Sequence, residues 1–394
     1  MIEMIQATRD EALKRTRAFI PKAGVDYARS RNFDLGPHDR SNISMLSAFI
    51  RHRLIYEAEL IEETLKHHSI EDAQKFIDEV IWRTYWKGYL EKHPEIWLSY
   101  KAKLQCLDSS ARQSAQQLLD SGSGISCLDD WIQELLTTGY LHNHARMWFA
   151  SIWIFHLGLA WELGAEFFER HLHDFDPASN TLSWRWVAGL HTPGKTYRAT
   201  AENIERFTNQ RYRAVDLAID CQNTPAPSEE AIAKIGPQPD LDEGQQPISH
   251  GEMVKSALWI HQDDLGLQEQ SLFRNVDRAF LCRTNHESIF LTHAIDDAQA
   301  RLGAQGIKLE ILHDLSELPH WLTKHDIQLI RFMRTFIGPA RLQEKQLQKI
   351  ARSQKFALER VESSYDRALL REASGGFFQF KKKAWPTVSR LAKG

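Results

Sequence analysis

At 394 residues, with 42% hydrophobic and 26% charged side chains, the chain is long enough for two folded domains and has the make-up of an ordinary globular protein. Its 49 Lys and Arg against 52 Asp and Glu leave a formal net charge of −3, so there is no global positive field and any nucleic-acid contact has to come from a local patch. The cysteines, Cys106, Cys127, Cys221 and Cys282, form no CxxC pair, which argues against a disulfide framework, an iron–sulfur cluster or a zinc site. With no apolar run of membrane-spanning length and no signal region, a cytoplasmic protein without membrane attachment is expected.

Residues 1–20 read as a polar helix and 21–40 as a loop punctuated by Gly24, Asn32, Gly36 and Pro37. Ser44, Leu46 and Ser47 then open an apolar helix, and hydroxyls with free backbone N–H groups at a helix start suit a phosphate as well as a simple cap. Over 60–90 the periodicity is helical. It places Glu79, Trp82, Arg83 and Trp86 on one face, a carboxylate and a cation between two indoles. His142 and His144 lack the third ligand and the spacing of a zinc site, so no metal is expected. A helix over 161–170 runs into Asp174, Asp176, Pro177, Ser179 and Asn180, a loop rich in capping residues ahead of Trp184 and Trp186.

Residues 222–252 carry Pro225, Pro227, Pro237, Pro239 and Pro247 and read as a linker. Beyond it KSALWIHQDDLGL, RAFLCRT and GIKLEILHD read as strands and HESIFLTHAIDDAQARLGAQ as a helix, an alternation that predicts a parallel sheet. No GxGxxG turn accompanies it, which argues against a standard dinucleotide site. The expected architecture is α+β and multidomain: an all-α domain over 1–221, the linker, and an α/β domain over 253–394.

The stretch TGYLHNHARMWFASIWIFHLGLAW, followed by HLHDFDPASNTLSWRW, resembles the flavin-binding core of the photolyase/cryptochrome family in order and spacing. Met147 and Trp161 are fourteen residues apart, Asp174 and Asp176 supply a D-x-D pair, and Asn180 precedes the W-x-W of Trp184 and Trp186. Glu79, Trp82 and Arg83 match the family's E-x-x-W-R pattern. WIHQDDLGL resembles the strand that begins a photolyase's N-terminal α/β domain, and GFFQFKKKAW the aromatic and basic stretch that ends it. The resemblance therefore implies a permuted order, flavin domain first.

That resemblance implies FAD as cofactor, with the antenna chromophore open. It assigns flavin contacts to Tyr27, Ser44, Leu46, Ser47, Arg83, Asn143, Arg146, Asp174, Asp176 and Asn180, the last facing flavin N5. Ile43 and Met45 stand where the family has Thr and Arg, which leaves fewer or rearranged phosphate contacts. Substrate contacts fall to Glu79, Trp82, Asn143, Met147 and Trp186. Trp184 and Trp161 match the inner members of an electron relay whose outer Trp is missing near Asp108, with Trp153 or Trp148 as substitutes. The segment after Trp186 lacks the family's R-I-F-N-P run. The implied activity is light-driven repair of pyrimidine dimers in damaged DNA, with Glu79, Asn180, Trp161 and Trp184 central to it; the alternative is a blue-light receptor that signals through a protein partner.

Overall fold

The computed structural model describes residues 6–192, 195–222, 225–227, 254–283 and 288–391. The first part of the chain is helical: α1 (Arg9–Phe19), α2 (Val25–Ser30), α3 (Ser47–Arg51), α4 (Glu57–His67), α5 (Ile70–Lys92), α6 (Pro94–Cys106), α7 (Ser109–Ser121), α8 (Ser126–Thr138), α9 (Asn143–Ser151), α10 (Trp161–His171), α11 (Pro177–Ala188) and α12 (Ala201–Phe207). Two differences from the sequence reading have local causes. The single helical stretch over 60–90 is two helices, because Ser69 caps α5 by accepting Asp72 N–H at 3.1 Å and its extended backbone ends the preceding run. The loop expected over 21–40 contains the six-residue α2. No described helix is long and apolar enough to cross a membrane.

The second part is a five-stranded sheet, β1 (Ser256–Ile260), β2 (Val276–Cys282), β3 (Lys308–Leu312), β4 (Leu329–Met333) and β5 (Ala357–Val361), ordered β3-β2-β1-β4-β5 with every pairing parallel. Central β1 is buried along its length, as a strand covered on both faces should be; Trp259 lies opposite Phe280, and Leu258 opposite Arg331. β4 and β5 are additions to the three strands legible in the sequence. Helices α13 (Ile289–Ala304), α14 (Leu318–His325) and α15 (Pro339–Gln354) form the later crossovers; α16 (Ser364–Leu369) and α17 (Phe377–Leu391) follow the sheet. The GFFQFKKKAW stretch is thus mostly the start of a helix. The expected linker, apart from residues 222 and 225–227, lies outside the described residues.

The connection from β1 to β2 contains no α-helix. Its residues Asp263–Leu267 meet the end of α3 and the turn after it. Arg51 Nη1 donates to Asp263 Oδ1 at 2.8 Å, Arg53 Nη2 to Asp366 Oδ1 at 2.7 Å, and Tyr56 Oη to Asp264 Oδ1 at 2.5 Å, all deeply buried. Backbone approach is equally close: Leu265 N–H donates to His52 O at 2.9 Å, and a Cβ on Gly266 would sit 2.2 Å from Arg53 O. One apolar cluster runs through both parts, joined by pairs such as Phe49–Phe290; a second lies around Trp259, Phe280, Trp321 and Phe332.

Candidate functional site

Asp176 organises the centre. It is the N-cap of α11, with Oδ1 accepting Ser179 N–H at 2.9 Å and Pro177 at the first helical position, so the turn chemistry of D-P-x-S forms as local physics dictates. Helix α11 consequently begins before Asn180, which is helical rather than in the loop. The other oxygen of Asp176 faces three cations: Arg83 Nη1 and Lys87 Nζ at 3.8 Å, and Arg51 Nε at 4.0 Å. Burial alone pushes the Asp176 carboxyl up, but Lys87, Arg51 and Arg83 together hold it below the usual carboxylate range.

Asp174, two residues earlier, accepts Arg146 Nη2 at 2.9 Å. Burial opposes its charge as well, yet Arg146, with the Ser47 hydroxyl and Arg83, keeps it ionised and below its ordinary value. Arg146 also lies over the Tyr140 ring. Arg83 Nη2 donates to Ser47 O at 3.4 Å, so α5, the start of α3 and the Asp174–Asp176 loop converge.

In the turn before α3, Ser44 Oγ accepts Leu46 N–H at 3.4 Å and Met45 has φ 53°, while Leu46 is buried. Tyr27, on α2, packs edge-on to Phe19 and Phe76, and Arg31, just past the end of that helix, binds the Glu79 carboxylate. Asn143 opens α9 and is exposed; Met147, one turn on, is half-buried. The neighbouring histidines are engaged with backbone: His142 Nε2 lies 3.1 Å from Arg31 O and His144 Nδ1 2.7 Å from Asn32 O. Among the described residues no group of three or more His, Cys, Asp or Glu is arranged to hold a metal.

On α11, Asn180 Nδ2 donates to Ala165 O at 2.9 Å, which turns its Oδ1 the other way. Trp184 is buried edge-on to Phe168 and sits so tightly on α10 that a Cβ on Gly164 would lie 2.3 Å from its Cη2. Trp186 is half-buried and stacks on Tyr197 at 5.6 Å. Trp161, at the start of α10, stacks on Tyr100 of α6 with ring centroids 5.3 Å apart. The two substitutes proposed for an outer Trp are engaged elsewhere: Trp153 donates to Ala160 O and stacks on Phe149, and Trp148 stacks between Trp131 and His144. Trp82 has one face covered by Phe377 of α17, centroids 3.5 Å apart and planes within 7°.

Three functional-looking residues lie outside the sequence reading. Lys87 follows Arg83 by four positions on α5, a spacing that puts it on the same face and that could have identified it. Arg51 and Phe377 gave no such signal, because their partners are remote in sequence.

Residues 76–211 match the family model described as the FAD binding domain of DNA photolyase. Among curated proteins the chain is similar to cryptochrome DASH of Gloeobacter violaceus, 32% identical over 177 residues that make up 44% of this chain and 35% of that protein. It is similar also to the deoxyribodipyrimidine photo-lyase of Alkalihalophilus pseudofirmus, 28% identical over 194 residues, 48% of this chain and 39% of that one. The matched part thus spans well under half the length of these relatives. Among solved structures, a cryptochrome from Synechocystis sp. PCC6803 aligns with a TM-score of 0.46 at 23% identity, over 53% of this chain and 45% of that one.

The side chains fit such a cofactor. Arg83 Nη1, Lys87 Nζ and Asp174 Oδ1 are buried around Asp176 and Ser47 without a hydrogen-bond partner among the described residues. Buried donors and acceptors of this kind are costly unless something polar meets them, and a flavin presents both carbonyl acceptors and an N–H donor.

Proposed function

From a chain that carries, over residues 76–211, the FAD-binding domain of the photolyase/cryptochrome family, we propose a light-driven photolyase that splits pyrimidine dimers in DNA. The domain boundaries that go with this reading are 1–221 for the flavin domain and 253–394 for the α/β domain, in permuted order. FAD, when bound, supplies light absorption and one-electron chemistry. The chain's own work is to hold it and the lesion. Tyr27, Ser44, Leu46 and Ser47 border the diphosphate end, with Asn143 beside the pocket. Arg83, Arg146, Asp174 and Asp176 set the charge around the ring system, where paired cations keep two carboxylates from repelling a reduced flavin. Asn180 offers an amide to N5, and Trp184 and Trp161 furnish electrons for reduction.

The observation that carries repair is the division of exposure. Glu79, Trp82, Asn143, Met147 and Trp186 all keep solvent-accessible surface, whereas Asp174, Asp176, Asn180 and Trp184 are buried. A flipped base needs such an outer layer of stacking and hydrogen-bonding groups over a closed redox site. Lys382 and Lys383, exposed on α17 next to the Trp82 stack, supply the local positive patch that net charge does not.

The test is blue-light repair of a thymine-dimer oligonucleotide by the chemically reduced protein, with dark and Glu79→Ala controls. Light-dependent loss of dimers that disappears in the variant is expected. A protein that binds flavin and photoreduces but leaves dimers intact would replace this reading with a photoreceptor acting on a protein partner. Phe377 stacked on Trp82, with Lys381 paired to Asp78 at 2.7 Å, favours that second reading, since both occupy the approach to the indole.

A further inference from the structure

Trp161 is only 3% exposed, so a hole that stopped there would be sealed inside the protein. Its stacked neighbour is Tyr100, and Tyr100 has a proton acceptor in place: the phenol donates to Glu169 Oε2 at 3.3 Å. Glu169 is held by Lys101, whose Nζ lies 2.8 Å from both carboxylate oxygens. Glu162, Glu166 and Glu169 of α10 all act on the same phenol, and their negative field favours removal of an electron from it.

We propose that Tyr100 is the terminal light-driven electron donor of this chain, oxidised by Trp161 with transfer of its phenolic proton to Glu169. The proposal rests on the flavin reading above. Trp184 gives one electron to the photoexcited oxidised flavin and recovers it from Trp161, and Trp161 recovers its electron from Tyr100. The O–H bond of Tyr100 breaks as the electron leaves, its proton moves to Glu169 Oε2, and a neutral tyrosyl radical remains. A thiolate from solution returns the electron and Glu169 returns the proton.

Trp97 is the next ring, 5.5 Å from Tyr100, and the structure disfavours it as the end point. The Lys101 ammonium stands 4.9 Å from the Trp97 ring and 5.3 Å from that of Tyr100. A positive charge there opposes an indole radical cation, whereas Tyr100 sheds its charge with its proton.

The experiment is laser-flash absorption and transient EPR on the full chain loaded with oxidised FAD, comparing wild type with Tyr100→Phe, Glu169→Gln and Trp184→Phe, each first checked for flavin content. A tyrosyl signal is expected in wild type. It is lost in Tyr100→Phe, leaving a tryptophan radical that recombines faster, and in Glu169→Gln its formation slows and the solvent deuterium effect changes. Flavin reduction with the same radical yield and decay in Tyr100→Phe as in wild type would overturn the assignment while leaving the flavin reading intact, provided Trp184→Phe abolishes the reaction. No flash-induced reduction in flavin-loaded wild type would overturn both.

Discussion

Arg51 stands between two carboxylates that belong to different parts of the molecule: it donates to Asp263 at 2.8 Å, in the loop after the first strand, and lies 4.0 Å from Asp176 at the flavin-side helix cap. The guanidinium, 2% exposed in its side chain, is therefore shared by the docking contact and the redox pocket.

Replacing one partner of a buried pair leaves the other charge uncompensated. Arg51→Met is expected to cost about 3–5 kcal/mol in urea unfolding and to lower FAD retention, because Asp263 and Asp176 both lose a cation. The double variant Arg51→Met/Asp263→Leu should recover part of the stability but not the FAD affinity. Equal recovery of both would mean that Arg51 acts on docking alone.

The same pair sets an acid limit. Burial works against the Asp263 carboxylate, yet Arg51, His261 and Lys87 hold it down at about 2, against an ordinary value of 3.8. A depressed carboxylate stabilises the fold above its unfolded value, and that contribution fades as pH falls from about 4 to about 2, with a loss on the order of 2 kcal/mol. Chemical unfolding across this window should show the slope in wild type and lose it in Asp263→Asn.

Gly164→Ala puts a methyl group where Trp184 Cη2 would be 2.3 Å away. Overpacking of this kind costs about 1–3 kcal/mol. The indole has to move, so photoreduction of bound FAD should slow more than the loss of stability explains; an unchanged rate in folded, flavin-loaded protein would remove Trp184 from the relay.

If α17 forms the rim over which DNA enters, Lys382→Ala/Lys383→Ala should weaken binding to damaged and undamaged duplex alike and reduce the salt slope by about two, one for each phosphate no longer neutralised. An identical slope would place the DNA elsewhere.

Asn180→Asp replaces the amide beside the pocket with a carboxylate. Under blue light the protein should accumulate a different flavin redox state from wild type. Matching absorption spectra would count against an N5-facing role for Asn180.

Local signals were legible and remote ones were not. The cap at Asp176 follows from D-P-x-S within four residues, and the shared face of Glu79, Trp82 and Arg83 from helical spacing, so both appear where the pattern places them. The strand at Leu329–Met333 escaped notice because five residues interrupted by Arg331 give little alternation to read. Arg51 and Asp263 are separated by 212 positions, and no periodicity links a basic residue at the end of one short helix to an acidic loop that far away. Tyr100 looks like core filler in PEIWLSYKAK until Trp161 and Glu169 are seen beside it.

The buried arginines have a consequence for how the chain is made. Arg51 and Arg53 emerge from the ribosome more than two hundred residues before Asp263, Asp264 and Asp366, the carboxylates that neutralise them. Until translation is far advanced the nascent helices carry two cations bound for the interior without their counter-charges, and their close-packed arrangement is held back until the sheet arrives. A cell that starves or stalls midway would release a fragment with matched flavin residues and an open, positively charged seam, a natural substrate for chaperones and proteases.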